Sequence, residues 1–430
     1  MRMSRKKIHL ISLGCPKNLV DSEILIGGLK RQEFEIVDIP EEADAIIVNT
    51  CGFIEPAREE SIDTILQAAE LKKIGNLREL VVMGCFSELY PDELQKGLPE
   101  VDYFFGTDAY GEIIAHFSGK DHLKFDPHYL RSLLTPSHYA YLKIAEGCDN
   151  ECSFCSIPMI RGKQKSRPIK ELLDEAEWLA DRGVKELILI AQDTTSYGWD
   201  LRPKVYLQDL LKELDRITHF KWIRLLYTHP AHLSNKVVDV IAKSDRICHY
   251  IDFPIQHVSD RLLTSMCRGL GKDGIRKRIY QLRSVIPNIA IRTSLIVGYP
   301  NETEDDFQEL VDFVEEIRFD RLGVFTYSEE KGTPAFDLKD DVPIKTKWNR
   351  RERIMLLQMD IALEKNSRFV GKTMEVLIDE VKYGVSTGRI EYDSPEIDNI
   401  VTVNQKLDAG KFYEIEVTDY TEYGLTGKTI

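Results

Sequence analysis

No run of about 18 apolar residues occurs in the 430-residue chain, so no membrane-spanning helix is expected. Cysteine is scarce. There are eight in all, too few for a disulfide scaffold, and their number fits a reducing cytoplasm. Positive charge is also short: 57 Lys and Arg stand against 71 Asp and Glu, a net charge of −14. That balance speaks mildly against a bulk nucleic-acid or anionic-membrane binder and mildly for a basic partner. Residues Met1 to Lys7 lead straight into the alternating apolar run Ile8 to Leu13. The longer apolar region and cleavage site of a signal peptide are missing, so a cytoplasmic location is expected.

One more absence frames the most informative stretch. Cys148-Asp149-Asn150-Glu151-Cys152-Ser153-Phe154-Cys155 carries three cysteines spaced CxxxCxxC, with no fourth nearby. Iron-sulfur clusters are held by cysteine thiolates. Three thiolates on a four-iron cube leave one iron open to a substrate or cofactor, as a catalytic cluster requires. Structural zinc prefers four ligands, often in CxxC halves, and no second half follows. A disulfide pair or chance spacing are the remaining bland readings.

Towards the N-terminus, strands are expected at Ile8–Leu13, Phe34–Asp38, Ala45–Val48 and Leu80–Met83. Helices are expected at Leu19–Arg31, Pro56–Lys73 and Tyr110–Phe117. Alternating strands and helices with all-apolar strands indicate an open parallel α/β sheet. Cys15, Cys51 and Cys85 each follow the carboxyl end of a strand beside a glycine. Ligands of such sheets bind at that edge. A second three-thiolate cluster is the favoured reading, zinc the second, and three separately buried thiols the bland one. Asn18 and Asn49 are candidates to line the same crevice.

After a polar linker, six strand–helix repeats follow between Tyr139 and Tyr327. Eight repeats of a full barrel need about 250 residues. A partial, TIM-like (β/α)6 barrel is therefore expected, with its site at the carboxyl ends of the strands. The cysteine loop, Gln192, Thr228-His229, Gln256-His257 and Gly298-Tyr299-Pro300 all emerge at that face. Cys248 and Cys267 lack ligand spacing and read as structural. Pro343–Asn366 reads as a helical connector. Short strands then alternate with turns, as in a small antiparallel β-barrel. Residues 368–430 hold seven Lys and Arg against twelve Asp and Glu. RNA-binding modules are normally basic, so that acidity favours a basic protein partner over RNA. The expected domains are 1–117 (α/β), 118–138 (linker), 139–335 (partial barrel), 336–366 (connector) and 367–430 (small barrel).

Cys148, Cys152 and Cys155, with Phe154 before the last, resemble the signature of the radical S-adenosylmethionine superfamily. The whole chain resembles the methylthiotransferases of that superfamily: an N-terminal domain with three spaced cysteines, a radical domain and a C-terminal TRAM domain. Gly14-Cys15-Pro16-Lys17-Asn18-Leu19-Val20-Asp21-Ser22-Glu23 looks like the branch that modifies an aspartate of ribosomal protein uS12. The tRNA-modifying branch usually carries Gln-Met-Asn after its first cysteine. Gly298-Tyr299-Pro300 with Glu302-Thr303-Glu304 looks like the family's fifth-strand motif. One departure is Ala191-Gln192-Asp193-Thr194, where the family typically has a longer run of small residues.

The resemblance implies two [4Fe-4S] clusters, one on Cys15, Cys51 and Cys85 and a radical one on Cys148, Cys152 and Cys155. It implies S-adenosyl-L-methionine as methyl donor and radical source, near Phe154, Gln192, Gly298, Tyr299 and Pro300. Implied partners are uS12 or the small ribosomal subunit, a flavodoxin- or ferredoxin-like electron donor, and a sulfide or persulfide source. No catalytic residue beyond the cluster ligands is assigned. Arg161, Lys163 and Arg167 are expected either to steady the cofactor carboxylate or the loop, or to be solvated charge. A tRNA adenosine methylthiotransferase and a non-catalytic iron-sulfur scaffold or electron carrier are the rival readings.

Overall fold

The computed structural model describes residues 6–75, 77–120 and 131–430. Much of the expected linker, residues 121–130, lies outside the described residues. The chain divides into two compact units. One is Met1–Thr135 with Glu146–Asp149 and Ser156–Lys165; the other is Pro136–Ala145, Asn150–Cys155 and Ser166–Ile430. No helix among the described residues is long and apolar enough to cross a membrane.

The first unit runs β1 (Lys7–Ser12), α1 (Pro16–Arg31), β2 (Glu35–Ile36), β3 (Ala45–Thr50), α2 (Glu55–Ile74), β4 (Glu79–Gly84), α3 (Cys85–Leu89), α4 (Pro91–Gly97), β5 (Tyr103–Phe104) and α5 (Tyr110–Ser118). Its five strands are parallel, in the order β2-β1-β3-β4-β5. β3 is buried along its whole length, as the apolar run Ala45 to Val48 predicts. Ile46, Val48, Leu80 and Val82 meet Ile65, Ala68 and Ala69 of α2 in the core. Helix α1 starts three residues before the expected Leu19. Pro16 explains the early start, because proline suits the first helical turn, where its missing N–H has no partner to lose.

The second unit holds β6 (Tyr139–Lys143), while two-residue strands β7 (Ala145–Glu146) and β8 (Lys165–Ser166) stand on either side of α6 (Ile157–Arg161) in the sequence. There follow α7 (Ile169–Ala180), β9 (Glu186–Ile190), α8 (Leu207–Leu214), β10 (Trp222–Leu225), α9 (Asn235–Lys243), β11 (Tyr250–Asp252), α10 (Asp260–Ser265), α11 (Lys272–Val285), β12 (Ala290–Val297), α12 (Glu304–Ile317) and β13 (Arg321–Thr326). The six longer strands form two parallel three-stranded sheets, β6-β9-β10 and β11-β12-β13. A parallel bridge from Ile223 to Ile247 lies on the β10 side. Helix α12 opens with a reciprocal cap. Asp306 N donates to Thr303 Oγ1 at 3.2 Å, and Thr303 N donates to Asp306 Oδ2 at 2.9 Å.

Helix α13 (Ile344–Ser367) leads to β14 (Thr373–Lys382), β15 (Val385–Arg389), β16 (Ile400–Val403), β17 (Phe412–Thr421) and β18 (Gly424–Thr429). These pair in the order β14-β15-β16-β18-β17, and β17 pairs in turn with β14. The expected all-antiparallel module needs one correction: β16 and β18 run parallel. Strand β18 is rich in glycine and threonine and lacks the apolar alternation that marks the others.

Part of the acidity of this module is also used within the second unit. Six of its acids bond residues of the barrel, Glu375 through Lys221. Asp379 takes a hydrogen bond from His138 at 2.8 Å, and Glu396 one from the Tyr139 hydroxyl at 3.1 Å. Glu391 accepts from the backbone N–H of His249 at 3.3 Å. Asp393 takes Arg321 at 2.7 Å, and Asp398 takes the Tyr250 hydroxyl at 2.7 Å. All these barrel partners sit at or just before the amino ends of strands. Half of the module's twelve acids thus face the rest of the second unit.

Arg389 anchors this contact, fully buried between Glu186 at 2.8 Å and a two-pronged pairing with Asp379 at 2.8 and 2.9 Å. Removing one partner of a buried ion network strands the others. Arg389→Ala should therefore cost about 3–5 kcal/mol, seen as a lower melting temperature. Lys382→Ala, at an exposed pair with Glu380, should change stability by under ~1 kcal/mol.

Candidate metal centres

In the first unit, Cys15 caps α1, Cys51 follows β3 and Cys85 opens α3. All three occupy the carboxyl edge of the sheet, as the spacing predicts. Two glycines allow the loops to approach. A Cβ on Gly14, whose φ is +88°, would stand 2.7 Å from the Cys51 Cβ; one on Gly52 would stand 2.6 Å from the backbone of Phe86. Asn18 ties the loops together. Its Nδ2 donates to Leu13 O at 3.0 Å and Thr50 O at 2.9 Å, and its Oδ1 faces Cys85 Sγ at 3.6 Å. Asn49 braces it by donating to Asn18 O and Ser22 Oγ, both at 2.9 Å. The two asparagines therefore serve as staples of the crevice.

Burial pushes the Cys85 thiol up to about 11 and raises Cys51 as well. Such thiols stay neutral until a metal takes the sulfur and displaces the proton. Among the described residues, no three His, Cys, Asp or Glu side chains are grouped as a single bound ion would need. The donor set is one of thiols on separate loops, which suits a multi-iron cluster.

The second cysteine motif is held by backbone hydrogen bonds at both ends. Cys148 N donates to Gly162 O at 3.0 Å in the first unit. In the second unit, Cys155 N donates to Cys152 O at 3.1 Å and Ser153 N to Met266 O at 3.2 Å. Ser153 Oγ also shares a 2.9 Å hydrogen bond with the Tyr299 hydroxyl. Phe154 packs against the buried group of Leu262, Met266, Tyr299, Tyr327 and Ala335. Arg268 donates to Cys152 Sγ at 3.2 Å and to Pro254 O at 2.7 Å. A thiolate at that position would face a cation, which fits an anionic iron-sulfur ligand.

Around the loop stand the strand ends. Asn150 Nδ2 donates to Asp193 Oδ2 at 2.9 Å, and His232 Nδ1 lies 2.7 Å from the same oxygen. Partners of Asp193, His232 foremost, hold its carboxyl down at about 2 against the cost of burial. His229 stacks on His232 at 4.4 Å. Burial holds both His229 and His257 down at about 3, so both rings are neutral. Gln192 is half-buried beside Asp193. Glu302 folds back onto the N–H groups of Gly298 and, at 3.1 Å, Tyr299. Burial raises Glu302 to about 7. Tyr299 is fully buried and Pro300 is buried too, so this turn supports the cysteine loop through the Tyr299 hydroxyl.

Three family models match the chain: the Uncharacterized protein family UPF0004 over residues 7–106, the Radical SAM superfamily over 142–314 and the TRAM domain over 370–430. Curated relatives named "Ribosomal protein uS12 methylthiotransferase RimO" match from end to end. That of Chloroherpeton thalassium is 46% identical over all of both chains. That of Clostridioides difficile is 48% identical over 99% of each. The Aquifex aeolicus protein is 48% identical over 98% of this chain and 97% of its own. The chain belongs to the RimO family. Among solved structures, the radical S-adenosylmethionine methyltransferase TsrM of Kitasatospora setae, with cobalamin and a [4Fe-4S] cluster bound, aligns with a TM-score of 0.57. It is 15% identical and covers 90% of this chain and 81% of that one, a likeness of fold alone.

The three basic residues after the cysteine loop and the two remaining cysteines differ in their surroundings. Arg161 does not sit as solvated charge; it bonds Cys85 of the first set at 3.3 Å. Arg167 is pinned to Lys143 O at 3.0 Å and Glu175 at 2.6 Å, and Lys163 is exposed. Cys248 is buried, with its thiol pushed up to about 12 by burial, as a structural residue should be. Cys267 is not: it lies past the end of α10, exposed, with φ +56°. Arg268, Asp193 and His232 were missed. Arg268 stands 116 residues from Cys152 in sequence, and no local pattern marks such a pair.

The two buried neutral histidines set a pH dependence. Their folded values lie below the free value of about 6.5. The stability they contribute is complete above that pH and is lost as pH falls from there towards 3. Each should remove about 1.4 kcal/mol per pH unit in that range. His257→Asn keeps an acceptor for Ser259 N, which now donates to His257 Nδ1 at 3.0 Å. Chemical denaturation between pH 7 and 5 should therefore show a flatter loss of stability in His257→Asn than in the parent.

Proposed function

We propose that this chain adds a methylthio group to the β-carbon of an aspartate in ribosomal protein uS12 by radical S-adenosylmethionine chemistry. The observation that carries the proposal is end-to-end identity of 46–48% to the RimO relatives, together with the CxxxCxxC loop at the carboxyl ends of the barrel strands. The aspartate β-carbon is unactivated, so a strong hydrogen-abstracting species is required. A [4Fe-4S] cluster with an open iron, which Cys148, Cys152 and Cys155 would hold, would supply that hydrogen-abstracting chemistry together with S-adenosylmethionine.

The chain's own residues hold and shield that chemistry. Cys148, Cys152 and Cys155 supply thiolates. Arg268 offsets the charge on Cys152, and the Met266 carbonyl fixes the loop at Ser153. Phe154 and its apolar neighbours keep water from one side of the loop. Asn150 and Asp193 join the loop to the end of β9, where Gln192 is at hand for the cofactor. Cys15, Cys51 and Cys85 would hold a second four-iron cluster, which would hold or donate the sulfur, with a second S-adenosylmethionine as methyl donor. Domains at 1–117, 139–335 and 367–430, joined by a linker and a helical connector, are the division this reading uses. An electron donor of flavodoxin or ferredoxin type and a source of sulfide or persulfide complete it. The working compartment is the cytoplasm.

Mass spectrometry of uS12 and of tRNA from a strain lacking the protein tests the substrate. Loss of the methylthio mass from uS12 is expected; loss from tRNA alone overturns the proposal. In the purified protein, Cys152→Ala should reduce 5′-deoxyadenosine formation to background. It should also lower iron from about eight to about four per chain. Cleavage at the parent rate would refute the radical assignment.

A further inference from the structure

Arg161 stands on α6, six residues past Cys155, yet its guanidinium belongs to the first set of cysteines. It is buried. Nη2 donates to Cys85 Sγ at 3.3 Å and to Asn18 Oδ1 at 2.7 Å. Nη1 pairs with Asp21 at 2.7 Å and Glu146 at 3.1 Å. Asp21 is held in turn by the Tyr110 hydroxyl at 2.7 Å. Such a fork is costly to bury unless each prong is paired, and here the partners are two carboxylates, an amide and a thiol. Asn18, on the same guanidinium, is also the residue that ties Leu13 and Thr50, next to the other two cysteine loops.

We infer that Arg161 is a positioning residue of the N-terminal cluster: it holds Cys85 as a ligand and sets the reduction potential of the centre bound there. The inference rests on the second-cluster reading above. Reduction adds one negative charge to a buried centre. A neighbouring cation stabilises the reduced state and raises the potential; a neighbouring anion does the reverse. Arg161 and Asp21 therefore have effects of opposite sign. Glu146 adds to the Asp21 side. No purely structural role makes that distinction, since loss of either partner would loosen the same contact.

The test uses the full chain with Cys148, Cys152 and Cys155 changed to alanine, so that the N-terminal centre is the one observed. Reconstitution should load about four irons per chain. An EPR-monitored redox titration then gives its midpoint potential. Arg161→Gln should lower that potential, Asp21→Asn should raise it, and Arg161→Lys should fall between parent and Arg161→Gln. An unmoved potential in Arg161→Gln, or shifts of the same sign in Arg161→Gln and Asp21→Asn, overturns the inference. If Arg161→Gln holds no iron, Asp21→Asn decides: a raised potential supports the inference and an unchanged one overturns it. A parent that binds no iron refutes the second-cluster reading itself, which separates that failure from failure of the role given to Arg161.

Discussion

Parallel pairing is the constraint on which the rest depends. Strands that all run the same way must place all their carboxyl ends on one edge. In the first unit this brings Cys15, Cys51 and Cys85, separated by 36 and 34 residues, to one edge of a five-stranded sheet. In the second unit it does the same for the ends of β9, β10, β11 and β12. Chemistry can then be assembled from residues that share nothing in sequence. Glycines decide how closely the loops approach, as at Gly14 against Cys51.

The opposite ends of the barrel strands pose a different problem. Glu186 and Arg321 open their strands there and Arg224 and Arg292 stand two residues in, charged groups that are costly to bury alone. Arg224 and Glu186 are both fully buried and paired at 2.6 Å. The segment between β15 and β16 supplies Asp393 and Asp398 to Arg321 and Arg292. The C-terminal module thus pairs the charged groups at this end of the barrel strands. A charge count over residues 368–430 mixes these inward acids with the outward ones, so it misstates what the surface presents.

Much of the fold was legible because periodicity is a local signal. The buried runs Ala45–Val48 and Glu186–Ala191 and the capped helix from Thr303 mark themselves in a few residues each. The cysteine spacing was legible for the same reason. Strand β18 was not, because Gly424, Thr426 and Gly427 break the alternation and its register comes from β16 and β17. Nor was the role of Arg161, which looks in sequence like one more charge in the basic stretch Arg161 to Arg167. Only packing shows that it turns to Asp21 and Cys85, 140 and 76 residues away.

Two arginines, Arg161 and Arg268, each reach one cysteine sulfur, one in each set, at 3.3 and 3.2 Å. Their surroundings differ. The charge of Arg161 is shared with Asp21 and Glu146, so little net positive charge remains for Cys85. Arg268 has a neutral carbonyl, Pro254 O, as its other partner, and so offers nearly its whole charge to Cys152. By Coulomb's law, negative charge is stabilised more at the sulfur beside the unshared cation than at the sulfur whose arginine is shared with two carboxylates.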